Sequence, residues 1–418
     1  MRSSVLATST VVVTAEDADW RRYSWWQRPQ SRDDSPRVLV VGCGAVGSVV
    51  GFHLARGGAQ IAFLVHEHRA RELDGLRLER LGLCTCSKGS AAMTKLVEWV
   101  GFSVFTNVPD CCGPVRLRSD SPNQEAKPFD AVVMAVSAAS ARAAAPMLKQ
   151  LVEGLGRRCA VVRVVSELGQ DRFFHNVLCV HHTALIDLGI GFVSYPLPLE
   201  GGGRPGVGNA FAYCATSTML LSSSSDENTT GHPMMTRLAD CFNNSELSCR
   251  CVPSVGAALA MPSAALLGLV VNLEYAEWKL AAIRDDTGRQ HLLCRSLGEA
   301  LDIATSDNEG RRQRHAQRCC RYQARLVRAI LTNRCILKLV LWFATCAHCS
   351  FLTSNIVFPF EVELFLRQHF SKSGVQEQTR MFLDAYIAAA RERKLPVAAL
   401  GTLAAALPAL PAARVPTR

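Results

Sequence analysis

The chain lacks the repeated cysteine or histidine pairs of a structural zinc site, although 17 of its 418 residues are cysteine. Two doublets occur, at 84–86 and 346–349, and neither has a second pair at a matching interval. We therefore expect no metal site. The chain also lacks a clear secretory signal, its cysteine count is odd, and Cys43 lies inside a glycine motif. These features favour a reducing compartment over a disulfide framework and predict a cytoplasmic protein.

Charged residues make up only 20% of the chain, but they are unbalanced and give a formal net charge of +10. This charge suits an anionic ligand and is also compatible with nucleic-acid or membrane contacts. Arginines cluster at 311–328 within one helical pattern, with no recognised nucleic-acid motif. A charge run of this kind is usually the solvated face of a helix. We expect no nucleic-acid partner.

Two segments of the sequence bear on where in the cell the protein is found. Residues 1–34 include acidic side chains that argue against an organelle transit peptide, so we expect a loosely ordered tail, with organelle targeting left open. Residues 339–358 contain no Asp, Glu, Lys or Arg over about the length of a bilayer span. Polar Thr, Cys, His, Ser and Asn interrupt this segment. We expect a buried helix or an insertion packed on a helical domain, and a membrane span is the alternative.

A short apolar strand, 38–41, runs directly into the motif Gly42-Cys43-Gly44-Ala45-Val46-Gly47. The pattern after it predicts a helix over 48–56 and a second buried strand over 60–65. In a dinucleotide-binding unit, the first glycine permits the tight turn and the second lets a pyrophosphate approach the backbone. The third glycine lets the helix pack closely on the strand. This order of elements predicts a dinucleotide site formed by Gly42–Gly47, and another α/β fold with a glycine-rich turn is the alternative.

The residues after the second strand bear on which dinucleotide is bound. An acidic side chain there holds the ribose 2′-hydroxyl of NAD, whereas Arg or Lys holds the 2′-phosphate of NADP. His66, His68, Arg69 and Arg71 favour NADP, with His66 and Arg69 as the expected contacts. Glu67 keeps NAD open, because its side chain would turn inward if the strand ended one residue later. The two arginines would alternatively begin a solvated helix.

Strands alternate with helices up to about residue 252, which predicts a parallel sheet covered by helices. The pattern gives one strand over 95–104, further strands near 129–136, 159–165, 190–195, 210–216 and 248–252, and a helix over 234–242. After Pro253 the chain is predicted to be almost all helix: 262–283, 291–306, 311–332, 376–393 and 397–407. We predict a tail over 1–34, an α/β domain over 35–252 with a polar insertion near 222–232, a helical domain over 253–411 with an apolar insertion near 335–360, and a tail over 412–418.

This order resembles the ketopantoate reductase (2-dehydropantoate 2-reductase) family. Similar pieces include the glycine motif, the strand Phe129-Asp130-Ala131-Val132-Val133, the hairpin Gly191-Phe192-Val193-Ser194-Tyr195 and, near the end, Phe365–Lys372 with Gln378-Thr379-Arg380. The resemblance implies an NADP-binding Rossmann domain followed by an all-α domain like the C-terminal domain of 6-phosphogluconate dehydrogenase. It also implies a small keto-acid-like substrate bound between the domains. A homodimer is left open.

The chain departs from this family where the reaction needs charge. Reduction of a 2-keto acid requires a proton donor near the carbonyl oxygen and a cation for the carboxylate. The resemblance places Pro253 where the family has its lysine, Ala257 at an asparagine position and Gln378 at a glutamate position. Leu168-Gly169 stands where Asn-Gly is expected, and Ser137 replaces a further lysine. No lysine occurs between Lys149 and Lys279.

Other residues must therefore supply the acid and the cation if the chain is an enzyme. His369 and Lys372 are the first candidates, because the resemblance brings their segment to the cleft. Lys279, Glu274 and Asn272 are the second. For each residue the alternative is an ordinary surface or packing role. The sequence thus predicts an NADP-dependent reductase of a small 2-keto acid or related carbonyl compound, or else an inactive NADP-binding relative that acts as a sensor or partner subunit.

Overall fold

The computed structural model describes a large part of the chain. The described residues are 11–13, 35–71, 73, 75–81, 95–117, 125–165, 173–180, 185–197, 209–223, 232–306, 328–330, 332–333, 335–336, 338, 341, 366–367, 370 and 373–407. The chain divides into two compact units. The first comprises Met1–Val136, Ala144–Val165 and Arg172–Val255, and the second comprises Ser137–Ala143, Ser166–Asp171 and Gly256–Arg418.

The first unit is built on an eight-stranded sheet with the strand order β13-β12-β9-β8-β7-β2-β3-β6. Its strands are β2 (Arg37–Val41), β3 (Gln60–Leu64), β6 (Ser103–Phe105), β7 (Ala131–Met134), β8 (Ala160–Val164), β9 (Leu185–Gly189), β12 (Met219–Ser223) and β13 (Cys249–Cys251). Across the sheet, each neighbouring pair in the series β9, β8, β7, β2, β3 and β6 is parallel, while β12 is antiparallel to β9. The central strands β2, β3, β7, β8 and β9 are almost completely buried, as expected for a parallel sheet that is covered on both faces, whereas the edge strands β6 and β13 are partly exposed.

A second sheet has the order β1-β5-β4-β11-β10. Its strands are β1 (Val11–Val13), β4 (Leu76–Arg80), β5 (Lys95–Trp99), β10 (Phe192–Pro196) and β11 (Ala210–Ala215). Strand β1 falls in the stretch predicted as a loosely ordered tail. Its three valines pair in parallel with β5, and β-branched residues favour this extended conformation.

Helix α1 (Ala45–Arg56) packs against both sheets. Every residue from Gly47 to Leu54 is buried, so the helix shows no polar face despite its position on a sheet. Close packing depends on glycine: a Cβ at Gly51 would lie 2.7 Å from the ring of Phe63, and one at Gly57 only 1.8 Å from the carbonyl oxygen of Cys241. The remaining helices of this unit are α2 (Glu67–Ala70), α4 (Ala145–Leu155) and α5 (Pro233–Asn244).

The second unit is helical. Its longer helices within the described residues are α3 (Ala138–Ala143), α6 (Val255–Tyr275, whose first residue belongs to the first unit), α7 (Leu280–Asp285), α8 (Thr287–Ser306), α9 (Ser373–Glu392) and α10 (Ala398–Ala406). Buried residues of α6, α8, α9 and α10 form one core. The carboxylate of Glu299 on α8 accepts hydrogen bonds from the backbone N–H groups of Ala399 and Leu400 at 3.0 and 2.9 Å, which satisfies the first turn of α10. The fold is thus a Rossmann-type α/β domain followed by a helical region, as predicted.

Several element predictions were wrong. The single strand predicted over 95–104 is two strands, β5 and β6, which belong to different sheets. Strand β9, which carries Asp187 within an otherwise apolar run, was not predicted. The helix predicted over 262–283 is two helices, α6 and α7, and the first of them begins earlier, at Val255, with Pro262 on an exposed face.

Helix α6 is, among the described residues, the one helix long and apolar enough to cross a membrane by length and composition. Core helices of other proteins pass the same test, and Leu267, Val271 and Leu273 of α6 are buried in the cores of the helical unit. The segment 339–358, predicted to be a buried helix or an insertion packed on the helical domain, lies outside the described residues except for the buried Leu341.

Candidate functional site

The glycine motif follows the carboxyl end of β2, between β3 on one side and β7 on the other. The connection from β2 leads to β3, and the chain later returns to β7 on the opposite side of β2. This is the position where the strand order of a doubly wound sheet reverses, and ligands bind at such positions outside the carboxyl ends of the strands.

The three glycines have three different surroundings. Gly42 has φ +93°, and a Cβ there would lie 2.8 Å from the side chain of Val136. A Cβ at Gly47 would lie 2.1 Å from the carbonyl oxygen of Gly42, so only glycine lets helix α1 come this close to the loop. By contrast, no described atom lies within 4 Å of a Cβ built on Gly44, which is exposed. Gly42 and Gly47 are therefore required by the fold, whereas Gly44 leaves an open space at the loop surface.

That open space lies at the amino terminus of α1. Gly44 is the N-cap residue, and among the described side chains none caps the helix. The first turn carries no acidic residue, and the N–H of Ser48 is the first to bond within the helix, at 2.9 Å to the carbonyl oxygen of Gly44. Free N–H groups and the positive end of the helix dipole together favour an anion. The loop therefore fits a pyrophosphate, with Ala45 and Val46 in the first turn.

Cys43 is the one non-glycine residue buried within the turn itself. Its Sγ lies 3.4 Å from Oγ of Ser48, and burial raises its pKa to about 11, so the thiol is protonated at neutral pH. The positive charge of Arg69 acts on the same thiol in the opposite direction and lowers its pKa. Arg69 is half-buried. The field of its guanidinium therefore reaches the glycine loop.

The segment after β3 shows where the side chain of Glu67 lies. Strand β3 ends at Leu64, earlier than predicted, and Glu67 is the first residue of α2. Its carboxylate forms an ion pair with Arg71, and both side chains are exposed, by 72% and 73%. The condition for an inward Glu67, a later strand end, is not met. Of the two arginines, Arg71 is exposed, whereas Arg69, on α2, is half-buried.

His66 is the N-cap residue of α2 and is exposed. Its ring stacks on that of His68, with centroids 5.8 Å apart and planes 14° from parallel. The segment thus holds two imidazoles and Arg69 close to the end of β3, the strand that pairs with β2 up to Leu64 opposite Val41.

The residues predicted to carry catalysis have separate outcomes. His369 and Lys372 lie outside the described residues. Lys279 is exposed and pairs with Glu277 at 3.1 Å, as a surface lysine does. Asn272 is buried, and its amide donates to the carbonyl oxygen of Gly268 at 2.7 Å and to Oγ of Ser296 at 2.8 Å. These contacts are structural.

Glu274 forms a buried ion pair across the helical unit. Its Oε1 accepts from Arg380 at 2.6 Å and from the side chain of Gln376 at 3.4 Å, which ties α6 to α9. Its side chain is only 4% exposed. A carboxylate so engaged holds two helices together.

At the positions where the resemblance expects charged groups, the described residues are uncharged, and of these Gln378 alone carries an amide. Pro253 and Ala257 are exposed beside and within the first turn of α6. Oγ of Ser137 accepts from the N–H of Ser140 at 3.1 Å and begins α3. Gln378 is half-buried on α9, and residues 168–169 lie outside the described part of the chain.

Sequence reasoning missed a polar row across the large sheet. Nε of Arg163 on β8 donates to Asp187 on β9 at 2.6 Å, and the Ser222 hydroxyl on β12 contacts the other carboxylate oxygen at 3.5 Å. Oγ of Ser222 in turn accepts from the N–H of Val255 at 3.0 Å, where α6 begins. The signal in the sequence was a charge in the middle of an apolar strand.

A second missed group surrounds His53 on the buried helix α1. Its Nδ1 lies 3.0 Å from Oγ of Ser245, and its Nε2 lies 3.1 Å from the hydroxyl of Tyr213. Burial lowers the pKa of His53 to about 3, and the charges of Arg56 and Arg80 act in the same direction. The imidazole is neutral and links α1 to β11 and to the end of α5.

Comparison with known proteins supports the nucleotide half most directly. The family model described as ketopantoate reductase PanE/ApbA matches residues 38–162, less than half of the chain. No curated protein sequence matches the chain. The match confirms the resemblance over the α/β unit from β2 to β8.

Solved structures extend the likeness in fold to most of the chain. D-mandelate dehydrogenase in ternary complex with NADH and anilino(oxo)acetate is 10% identical with a TM-score of 0.54, and the match covers 89% of this chain and 97% of the other. A PanE/ApbA family ketopantoate reductase from Ralstonia eutropha JMP134 is 13% identical (TM-score 0.54; 89% and 97% covered). A 2-dehydropantoate 2-reductase from Geobacter metallireducens GS-15 is 14% identical (TM-score 0.53; 89% and 98% covered). At these identities the likeness establishes the fold.

Proposed function

We propose that this chain is an NADP-dependent reductase of a small 2-keto acid or a related carbonyl compound and a divergent relative of the ketopantoate reductases. The observation that carries the proposal is the glycine loop, in which Gly42 and Gly47 are held by close contacts while Gly44 opens toward the uncapped terminus of α1. The match of residues 38–162 to the PanE/ApbA family model adds to it. The proposed location is the cytoplasm, and a homodimer is left open.

The loop and the segment after β3 would hold the cofactor. Gly42–Gly47 would receive the pyrophosphate, and Arg69, assisted by His66, would receive the 2′-phosphate. The preference for NADP rests on Arg69, whose charge acts toward the loop, and on Glu67, whose carboxylate is engaged with Arg71. When bound, the nicotinamide supplies the hydride.

The substrate needs a cation for its carboxylate and a donor for the proton that the carbonyl oxygen acquires. We assign these roles to Lys372 and His369, with the ammonium of Lys372 next to the carboxylate. This assignment rests on the resemblance of the segment from Phe365 to Lys372, and on the internal contacts that already occupy Asn272 and Glu274.

A second function is favoured by a specific observation. The first turn of α6 offers no amine or amide side chain, since Pro253 and Ala257 stand at the two positions concerned. A chain that kept the glycine loop but lost the acid and the cation would bind NADP without turnover. It would then act as a sensor or as a partner subunit.

Calorimetric titration with NADPH and NADH tests the shared part of both functions. We expect NADPH to bind more tightly, and Gly44→Asp to abolish binding because it places a side chain and a negative charge in the open space. Gly401→Asp is the matched control, because Gly401 on α10 also has no described atom within 4 Å of a Cβ. Equal affinity for both cofactors, or an unaffected Gly44→Asp variant, would contradict the assignment.

Turnover separates the two functions. Loss of NADPH absorbance with a panel of 2-keto acids indicates the reductase. Tight NADPH binding without turnover of any member of the panel would move the assignment to the sensor or partner subunit.

A further inference from the structure

Glu67 lies where an NAD-specific enzyme would place its acidic residue, about 20 residues beyond the last glycine of the motif. In the structure this carboxylate is paired with Arg71, one helical turn later and just beyond the last residue of α2. Arg69 lies between the two in the chain and, unlike them, is half-buried, and its positive charge lowers the pKa of the Cys43 thiol in the glycine loop. The two arginines of this segment therefore have separate tasks.

We propose that Arg71 sets the cofactor preference by neutralising Glu67 and does not itself contact the cofactor. This inference rests on the proposed NADP-binding function. Arg71 is a positioning residue: by holding the carboxylate, it removes the negative group that would repel a 2′-phosphate and accept a hydrogen bond from a 2′-hydroxyl. Arg69 then dominates the potential at the ribose.

The geometry supports this division of roles. Both partners of the pair are more than 70% exposed and are one helical turn apart, at the first residue of α2 and just after its last, while Arg69 is half-buried. A solvent-exposed pair at this spacing is weak on its own, so its loss would leave the fold intact. An uncompensated carboxylate a few ångströms from a phosphate nevertheless changes its binding by about threefold to tenfold. The preference is therefore adjustable without loss of stability.

Four variants test the role of Arg71, with the dissociation constants of NADPH and NADH measured by calorimetry in the full chain. Arg71→Ala frees Glu67, Arg71→Lys keeps a cation at the same spacing, and Glu67→Gln combined with Arg71→Ala removes both charges. Arg77→Ala is the matched control, because Arg77 is also an exposed arginine, by 59%, paired with a glutamate, Glu98.

We expect Arg71→Ala to lower the preference for NADPH over NADH by about threefold to tenfold, through weaker NADPH binding and stronger NADH binding. Arg71→Lys and Arg77→Ala should keep the wild-type ratio within about twofold, and the double variant should restore it. An unchanged ratio in Arg71→Ala would overturn the inference. So would a double variant that still binds NADPH poorly, because Arg71 would then contact the phosphate itself.

The control variant and the wild type give two further results. An Arg77→Ala shift as large as that of Arg71→Ala would overturn the inference by showing an effect of net charge alone. Failure of the wild-type chain to bind either cofactor would instead refute the proposed function, and the inference with it. The wild-type titration therefore tests the function, and the ratios among variants test Arg71.

Discussion

Replacing Gly44 and Gly47 separately by alanine should show that one glycine is needed for cofactor binding and the other for stability. We expect Gly44→Ala to weaken NADPH binding and Gly47→Ala to destabilise the fold. Both glycines belong to one motif, and both variants add a single methyl group. At Gly44 that methyl group enters open space and the backbone has φ −84°, which alanine adopts freely. At Gly47 it would lie 2.1 Å from the carbonyl oxygen of Gly42, a backbone atom that no rotamer change can move.

The expected energies follow from these surroundings. Gly44→Ala loses a modest N-cap preference and gains about 0.4–1 kcal/mol from a less flexible unfolded chain, so its free energy of unfolding should stay near that of the wild type. Gly47→Ala forces the helix and the loop apart and should cost about 3 kcal/mol or more. For a domain of this size that cost lowers the melting temperature by roughly 6–12 °C.

Thermal melts with and without NADPH measure both effects. At a concentration 100 times the dissociation constant, a ligand stabilises the native state by about 2.7 kcal/mol, so NADPH should raise the melting temperature of the wild type. Gly44→Ala should melt like the wild type without cofactor and show little shift with it, because the methyl group occupies the approach to the pyrophosphate. If Gly44→Ala melted several degrees lower, or kept the full NADPH shift, the open space would not be a ligand site.

Three other predictions concern buried or proposed charges. The unfolded chain protonates a histidine near pH 6.5, whereas His53 in the folded chain does so only near pH 3, so stability is lost as the pH falls below 6.5. Between pH 7 and pH 5 the loss should be about 2 kcal/mol, and His53→Gln should flatten this slope in urea unfolding; equal slopes would contradict it. Asp187→Asn leaves Arg163 charged and buried, and should cost about 3–5 kcal/mol; an unchanged urea midpoint would show that the pair does not stabilise the sheet. Lys372→Ala should lower turnover of 2-keto acids by about two to four orders of magnitude with unchanged NADPH affinity; retained activity would exclude Lys372.

The nucleotide half could be predicted from the sequence because its signals are local. Four mostly apolar runs became β2, β3, β7 and β8, with ends within two residues of those predicted, although β8 contains Arg163. The glycine motif needs only its own spacing to be recognised. Each of these elements is specified by residues that are neighbours in the chain, and the parallel arrangement follows from their alternation with helices.

The features that could not be predicted from the sequence depend on partners that are distant in the chain. Strand β9 was not predicted, and the burial of its Asp187 depends on an ion pair with Arg163, a partner 24 residues away in the chain. The break at Gly101 sends two strands into different sheets, and no local pattern distinguishes that outcome from one long strand. Likewise, the direction of Glu67 depends on the last residue of β3 and on Arg71.

The burial of α1 from Gly47 to Leu54 has a consequence for how a nucleotide would be bound. A helix enclosed by two sheets, with His53 bonded at both ring nitrogens, has little freedom to tilt or fray. The donors at its first turn are therefore already oriented before any ligand arrives. Binding at such a site spends little free energy on ordering the protein, so the affinity reflects the contacts themselves.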